Sequence, residues 1–296
     1  MDLLELERVA RNAALGVRFW DVATDMIAID GLNVEVFHRA NPRVRTVAKP
    51  SPSGIYVAHN LPGLRDFEFK DAGLPQDLWP AATRPYRIEV SDPEGRYLPI
   101  AFDADLPARG PFTWLAPWFS PPQPVSFPNA PGSPPQLMME RVPLFSTPSR
   151  PPPEPLAIVH AQMLEQGSGR ELAWGLLGVA VDGISRGIGL ADEHGRVAVF
   201  FPYPEPPRIS LSSPILAHND FTWEVELTAF GTLASPLTPP APFADLAQIF
   251  ASLAVPRDVV ESVISPPLSL RLTYRQPLVA RTAGTVGADA SFLFVS

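Results

Sequence analysis

Apolar and polar positions alternate with a period of two along much of this chain, and Trp174 to Pro204, WGLLGVAVDGISRGIGLADEHGRVAVFFPYP, shows the pattern most clearly. Leu177, Val179 and Val181 alternate with Gly178, Ala180 and Asp182, which predicts a strand with one buried face. Gly183, Gly187 and Gly189 read as turn and bulge positions, and Asp192-Glu193-His194-Gly195 as a turn. Arg196 to Phe201 predicts a second strand, ended by Pro202 and Pro204, which lack ladder donors. The same plan occurs near the N-terminus. Leu32, Val34 and Val36 supply the first strand, Ser51-Pro52-Ser53-Gly54 the turn, Ile55 to Leu61 the second strand, and Pro62-Gly63 its end.

Further landmarks recur in the same order. Val17 to Trp20 matches Ala157 to Met163, and Tyr86 to Val90 matches Phe221 to Val225. Arg141-Val142-Pro143-Leu144 matches Arg275-Gln276-Pro277-Leu278. A repeat this long is of domain size, too long for a solenoid unit. The expected fold is therefore mainly β: two tandem β-sandwich domains with Pro-rich arms and a few short helices. The competing expectation is two unrelated β-domains that share only strand–turn grammar.

The expected boundaries are an N-terminal helix over 1–16, a first sandwich over 17–148, a Pro-rich linker over 149–155 and a second sandwich over 156–296. Asp2 with Glu5 forms a capping box, and Leu6, Val9, Ala10 and Ala13 share one helical face. That helix would dock on its own domain or on another subunit. Ile88 to Val90 and Arg96 to Phe102 predict a hairpin around Ser91-Asp92-Pro93-Glu94-Gly95. A Pro-rich arm spans 107–137, with Trp114, Trp118, Phe119 and Phe127 interleaved, and Met138 to Phe145 returns as a closing strand. A helical insertion is expected over 242–265. Leu246, Ile249, Phe250 and Leu253 share one face, and Val259, Val260, Val263 and Ile264 predict a second short helix. Leu268 to Leu278 and Ser291 to Val295 are expected as closing strands.

Composition narrows the function classes. The 296 residues are 46% hydrophobic, enough for real cores, and only 18% charged, which favours a surface partly covered by neighbours. A net charge of −8 argues against a nucleic-acid partner. There is no Cys, so disulfides, thiol catalysis and thiolate metal sites are excluded. The N-terminus does not read as a signal peptide and no apolar run approaches membrane-span length, so a soluble, cytoplasmic product is expected. The 38 Pro residues disfavour long helices and favour extended arms.

The chain shows no catalytic signature. His38, His59, His160, His194 and His218 form no HExxH or His-x-His pattern, and no GxSxG elbow occurs. Asp103 and Asp105 read as solvated edge charges rather than a metal pair. No cofactor, no metal and no enzymatic activity are expected.

The phrases DEHGRVAVFFP and SGIYVAHNLPG resemble carboxypeptidase regulatory-like, or transthyretin-like, domains, in which a polar turn with Gly precedes a strand and a proline-containing exit. This resemblance implies that the two tandem sandwiches are transthyretin-like (Ig-like) domains, and that they are accessory, non-catalytic modules. The longer phrases SPSGIYVAHNLPGLRDFEF, YRIEVSDPEGRYLPIAFDADLP and RVPLFSTPSRPPPEPLAIV resemble two-domain accessory proteins of extracellular contractile injection systems, the phage-tail-like particles. That implies a structural subunit near the cap or the sheath–tube terminus, with a baseplate position left open. Its partners would be sheath, tube or cap proteins in a symmetric oligomer, assembled in the cytoplasm into a particle that acts or is released outside the cell. The candidate contact residues are Leu6, Val9, Trp114, Trp118, Phe119, Phe127, Leu246, Ile249, Phe250 and Leu253. Two other readings compete. In one, Trp114 and Trp118 line a carbohydrate-binding groove. In the other, Tyr56 and His59 belong to an iron site like that of the intradiol dioxygenases, whose sandwich has a transthyretin-like shape.

Overall fold

The computed structural model describes residues 12–68, 83–108, 111–117, 136–139, 141–153, 155–205, 221–231, 240–254, 256–260, 263 and 270–296, with only the backbone for 114–117, 136–139 and 288. The fold is mainly β, with curled sheets.

The first half builds β1 (Leu15–Asp21), β2 (Met26–Ile27), β3 (Asn33–His38), β4 (Arg45–Pro50) and β5 (Ile55–Ala58). After the single turn α1 (Arg65–Glu68) come β6 (Arg84–Ser91), β7 (Ile100–Leu106), β8 (Trp114–Pro117), β9 (Gln136–Met139) and β10 (Val142–Leu144). Alternation decides which face is buried. Val34, Val36, Tyr86, Ile88 and Val90 enter the core, while Glu35, Arg87 and Glu89 face outward. The outward positions are used as well. Arg45 reaches Glu35 at 2.6 Å and Glu89 at 2.5 Å across three adjacent strands.

The second half builds β11 (Leu156–Glu165), β12 (Leu176–Val181), β13 (Ile184–Leu190), β14 (Arg196–Pro202), β15 (Thr222–Phe230), β16 (Ala244–Asp245) and helix α2 (Leu246–Ser252). It closes with β17 (Pro256–Arg257), β18 (Val259–Val260), β19 (Leu270–Thr273), β20 (Leu278–Val279), a 3-10 turn over Gly287–Ser291, and β21 (Leu293–Val295).

The pairing order of the two halves runs in parallel. In the first, β10 lies parallel to β1, β1 pairs antiparallel with β5, and the path continues β4-β3-β6-β7. In the second, β20 lies parallel to β11 and β11 pairs antiparallel with β14. Next comes β13-β12-β15, with β17 and β19 on β15. The halves differ in their added strands, β2 on β1 in the first and β21 with β18 beside β11 in the second, and at one seam. β4 pairs with both neighbours, so the first half forms a single large sheet, whereas β13 and β14 lie in separate sheets. These two strands nearly touch: a Cβ at Gly189 would lie 2.7 Å from Ala198 O, and one at Gly187 would lie 3.0 Å from Phe200 O.

Two sequence expectations need correction. Val259 and Val260 are strand, not helix, because they pair with Val295 and Phe294 of β21, and β-branched side chains fit that pleated surface. The stretch over 242–265 is not an ornament of the second half. β16 runs parallel to β7 and extends the first half's sheet, with Ala244 pairing Ile100. Leu246, Ile249 and Phe250 of α2 are buried in the first half's core beside Leu176, Leu190 and Phe230. Leu253 packs against the same cluster. Asp245 serves the helix twice: its carboxylate accepts from the N–H groups of Ala247 and Gln248, and it pairs with Arg87 Nη1 at 2.7 Å.

The linker is held as tightly. Arg150 donates to Asp21 Oδ1 at 3.1 Å, to Asp21 Oδ2 at 2.8 Å and to Ser146 Oγ at 2.8 Å. Ala23, just past Asp21, packs on Ile158 and Phe200 of the second half. The two halves thus share a core, a sheet extension and a pinned linker.

Candidate interaction surface

The candidate contact residues named from sequence fall into three groups. Leu6, Val9, Trp118, Phe119 and Phe127 lie outside the described residues. Trp114 begins β8, which pairs with β9 in a two-stranded sheet at the root of the Pro-rich arm. Leu246, Ile249, Phe250 and Leu253 do meet a protein surface, but it is the first half of their own chain, and this corrects their assignment as contacts to other subunits. An amphipathic face specifies that a helix is covered, not which segment covers it.

The residues considered for chemistry are scattered. Asp103 pairs with Arg39 and Arg87, each at 3.3 Å, on the outer face of β7. Tyr56 is buried in the core, where its hydroxyl accepts from Leu32 N–H, and burial raises its pKa. Burial lowers the pKa of His160, and His194 lies in a turn near Glu171 and Glu193. Among the described residues no group of three or more His, Asp or Glu side chains could hold a metal ion.

The densest polar cluster is the linker clamp. Asp21 is 3% exposed; burial pushes its carboxyl up, but Arg150, Thr24 and the Ala23 N–H outweigh that and hold it below the usual carboxylate range. Tyr97 donates to Asp21 Oδ2 at 3.3 Å, and burial together with that carboxylate pushes its phenol up to about 12. Every member has a partner, so the cluster fastens the chain and offers no free reactive group.

Two outward surfaces stand out among the described residues. The first is the ridge at β2, a two-residue strand paired only with β1. Met26 is 65% exposed, Ile27 40% and Ile29 56%, beside the turn at Gly54. Its base is rigid: Trp20 Nε1 donates to Asp25 Oδ1 at 2.7 Å, and Arg141 lies 4.8 Å over the Trp20 ring. Solvent-facing apolar side chains grouped on a fixed edge mark a contact surface.

The second is an open trough of about 710 Å³ at the β11–β21–β18 sheet. Gln162 and Leu164 lie two residues apart on one face of β11, and Gln166 follows in the turn just past its end. Leu164 sits opposite Phe294 of β21, while Leu293 and Val295 point into the core. Phe292 and Phe294 therefore share the floor with Leu164, and Ser168, Glu171, Val263, Thr285 and Asp289 stand around it. The rim loops are pinned. Ser168 donates to Glu165, Arg170 pairs with the same carboxylate at 3.0 Å, and these bonds lower the Glu165 pKa. Thr285 Oγ1 donates to Thr282 O and Asp289 O at 2.9 and 3.2 Å.

No protein-family model matches this chain, and no curated protein matches it. Among the described residues, no helix is long and apolar enough to cross a membrane.

Proposed function

We propose that this chain is a non-catalytic structural subunit of a contractile, phage-tail-like injection particle, placed at the cap or the sheath–tube terminus and acting through protein–protein contacts. In this reading the two halves are tandem transthyretin-like β-sandwiches, and the particle forms in the cytoplasm before it acts or is released outside the cell.

The observation that carries the proposal is mechanical. Two halves with parallel strand orders are joined at three places: β16 on β7, α2 in the first core, and Arg150 on Asp21. Such a body transmits load without bending at its linker. The solvent-facing Met26, Ile27 and Ile29 then give a neighbouring sheath, tube or cap subunit something apolar to cover. The resemblance of RVPLFSTPSRPPPEPLAIV, which spans this clamp, supports the same reading.

Affinity isolation of the tagged chain from its native host is the test. Sheath and tube proteins should co-purify in fixed ratio, and labelled particles should carry the tag at one end. A chain recovered only as a free monomer, with no particle proteins, would refute the proposal.

A further inference from the structure

We propose that the trough at the β11–β21–β18 sheet binds a short neutral oligosaccharide. This is a ligand function separate from assembly, and it stands whether or not the chain belongs to a particle.

The shape points to a chain-like ligand. Gln162 of β11 and Gln166, just past its end and still bonded through its N–H to Val295 O, lie four residues apart, about 13 Å of extended chain, so the trough suits several linked units better than one small molecule. It is open rather than enclosed, and two aromatic residues line it: Phe292, between the 3-10 turn and β21, and Phe294 within β21.

The chemistry narrows the class. An aromatic floor calls for a ligand with an apolar face, which the axial C–H groups of a pyranose supply. The rim offers the amide of Gln166, the amide oxygen of Gln162, whose NH2 also reaches His194 O, the Thr285 hydroxyl oxygen as an acceptor, and carboxylates from Glu171 and Asp289. These groups pair with vicinal sugar hydroxyls as donors and as acceptors. None of the lining residues is Lys or Arg, and Arg170 beside Ser168 is already paired with Glu165, so a phosphorylated, sulfated or carboxylated ligand would meet the Glu171 and Asp289 carboxylates against a cation that is already neutralised.

A peptide fits less well. Extended peptides are held chiefly through backbone hydrogen bonds to an open strand edge. β21 has no such edge, because β11 occupies one side and β18 the other. Over β21, recognition therefore comes from side chains, which suits a ligand whose polar groups lie all around its rim.

Full-length protein should be applied to an array of neutral and acidic oligosaccharides, and the hits measured by calorimetry. A proline-rich peptide matching Pro117 to Pro128 serves as comparator. Neutral oligosaccharides should bind. Phe294→Ala should weaken binding about tenfold and Asp289→Asn severalfold, with the thermal transition of Asp289→Asn unchanged. The proposal is overturned if no neutral oligosaccharide binds, if acidic glycans or the peptide bind in their place, or if binding survives in both variants.

Discussion

Arg150 and Asp21 lie 129 residues apart in sequence, yet the guanidinium meets both carboxylate oxygens, at 3.1 and 2.8 Å. Their side chains are 11% and 4% exposed, so the pair is nearly dry. Arg150→Ala would leave a buried carboxylate without its cation, and should cost about 3 kcal/mol in denaturant melts. Arg150→Lys should recover only part of this, since one ammonium cannot match the two-pronged contact. A loss below about 0.5 kcal/mol would show that the clamp does not hold the linker.

Acid should act through the same residue. Asp21 has a folded-state pKa below its ordinary value of 3.8. Its contribution is complete above that value and is lost as pH falls through the depressed one. Asp21→Asn should therefore flatten the acid limb of a stability–pH curve measured below pH 3.8. At the alkaline end, Tyr97 is raised from 10.0 to about 12, so stability should fall as pH climbs through that interval. Tyr97→Phe should lessen that fall, and an absorbance titration should show Tyr97 ionising late, in company with the buried Tyr56 and Tyr86, whose phenols are also raised.

Because α2 is buried in a core built mainly by the other half, the chain should unfold in one cooperative transition. Phe250→Ala should cost about 3 kcal/mol and split that transition, as the first half loses its plug. Arg87→Ala and Asp245→Ala should be non-additive by about 1 kcal/mol in a double-mutant cycle, given their 2.7 Å contact. Additive effects would show that the contact contributes nothing to the joint.

Two turns share the pattern Asp-x-x-Gly-Arg but not its surroundings. Asp92 accepts from Arg96 N–H and Asp192 from Arg196 N–H, and each arginine returns to pair with its aspartate. Gly95 and Gly195 both have positive φ, at 69° and 71°. A Cβ at Gly95 meets nothing within 4 Å, whereas one at Gly195 lies 2.6 Å from Met163 O. Gly95→Ala should cost about 1 kcal/mol from conformation alone. Gly195→Ala should cost distinctly more, since backbone must also move. Equal losses in thermal melts would contradict this difference.

The strands that were legible in the sequence are those with one wet face and one dry face. β3, β6 and β12 show it through Val34 and Val36, Ile88 and Val90, and Val179 and Val181. β4 was not legible, because it buries only Ala48 fully and so shows no alternation. β13 was read as turns and bulges: its pairing with β12 does shift register between Ser185 and Gly187, but Gly187 and Gly189 are small because β14 passes so close, not because the chain turns there. The trough was hidden for the opposite reason. In FLFV every side chain is apolar, so the outward Phe292 and Phe294 cannot be told from the inward Leu293 and Val295 until β11 and β18 flank them. Nor does a helical face such as Leu246, Ile249 and Phe250 carry the address of its docking place.

The position of α2 also sets a timetable for synthesis. The first half leaves the ribosome long before Ala244 to Leu253 exist, and its hydrophobic interior stays uncapped until they arrive. A nascent chain arrested ahead of Ala244 should accordingly bind a hydrophobic dye and be held by chaperones, and the finished chain should release both.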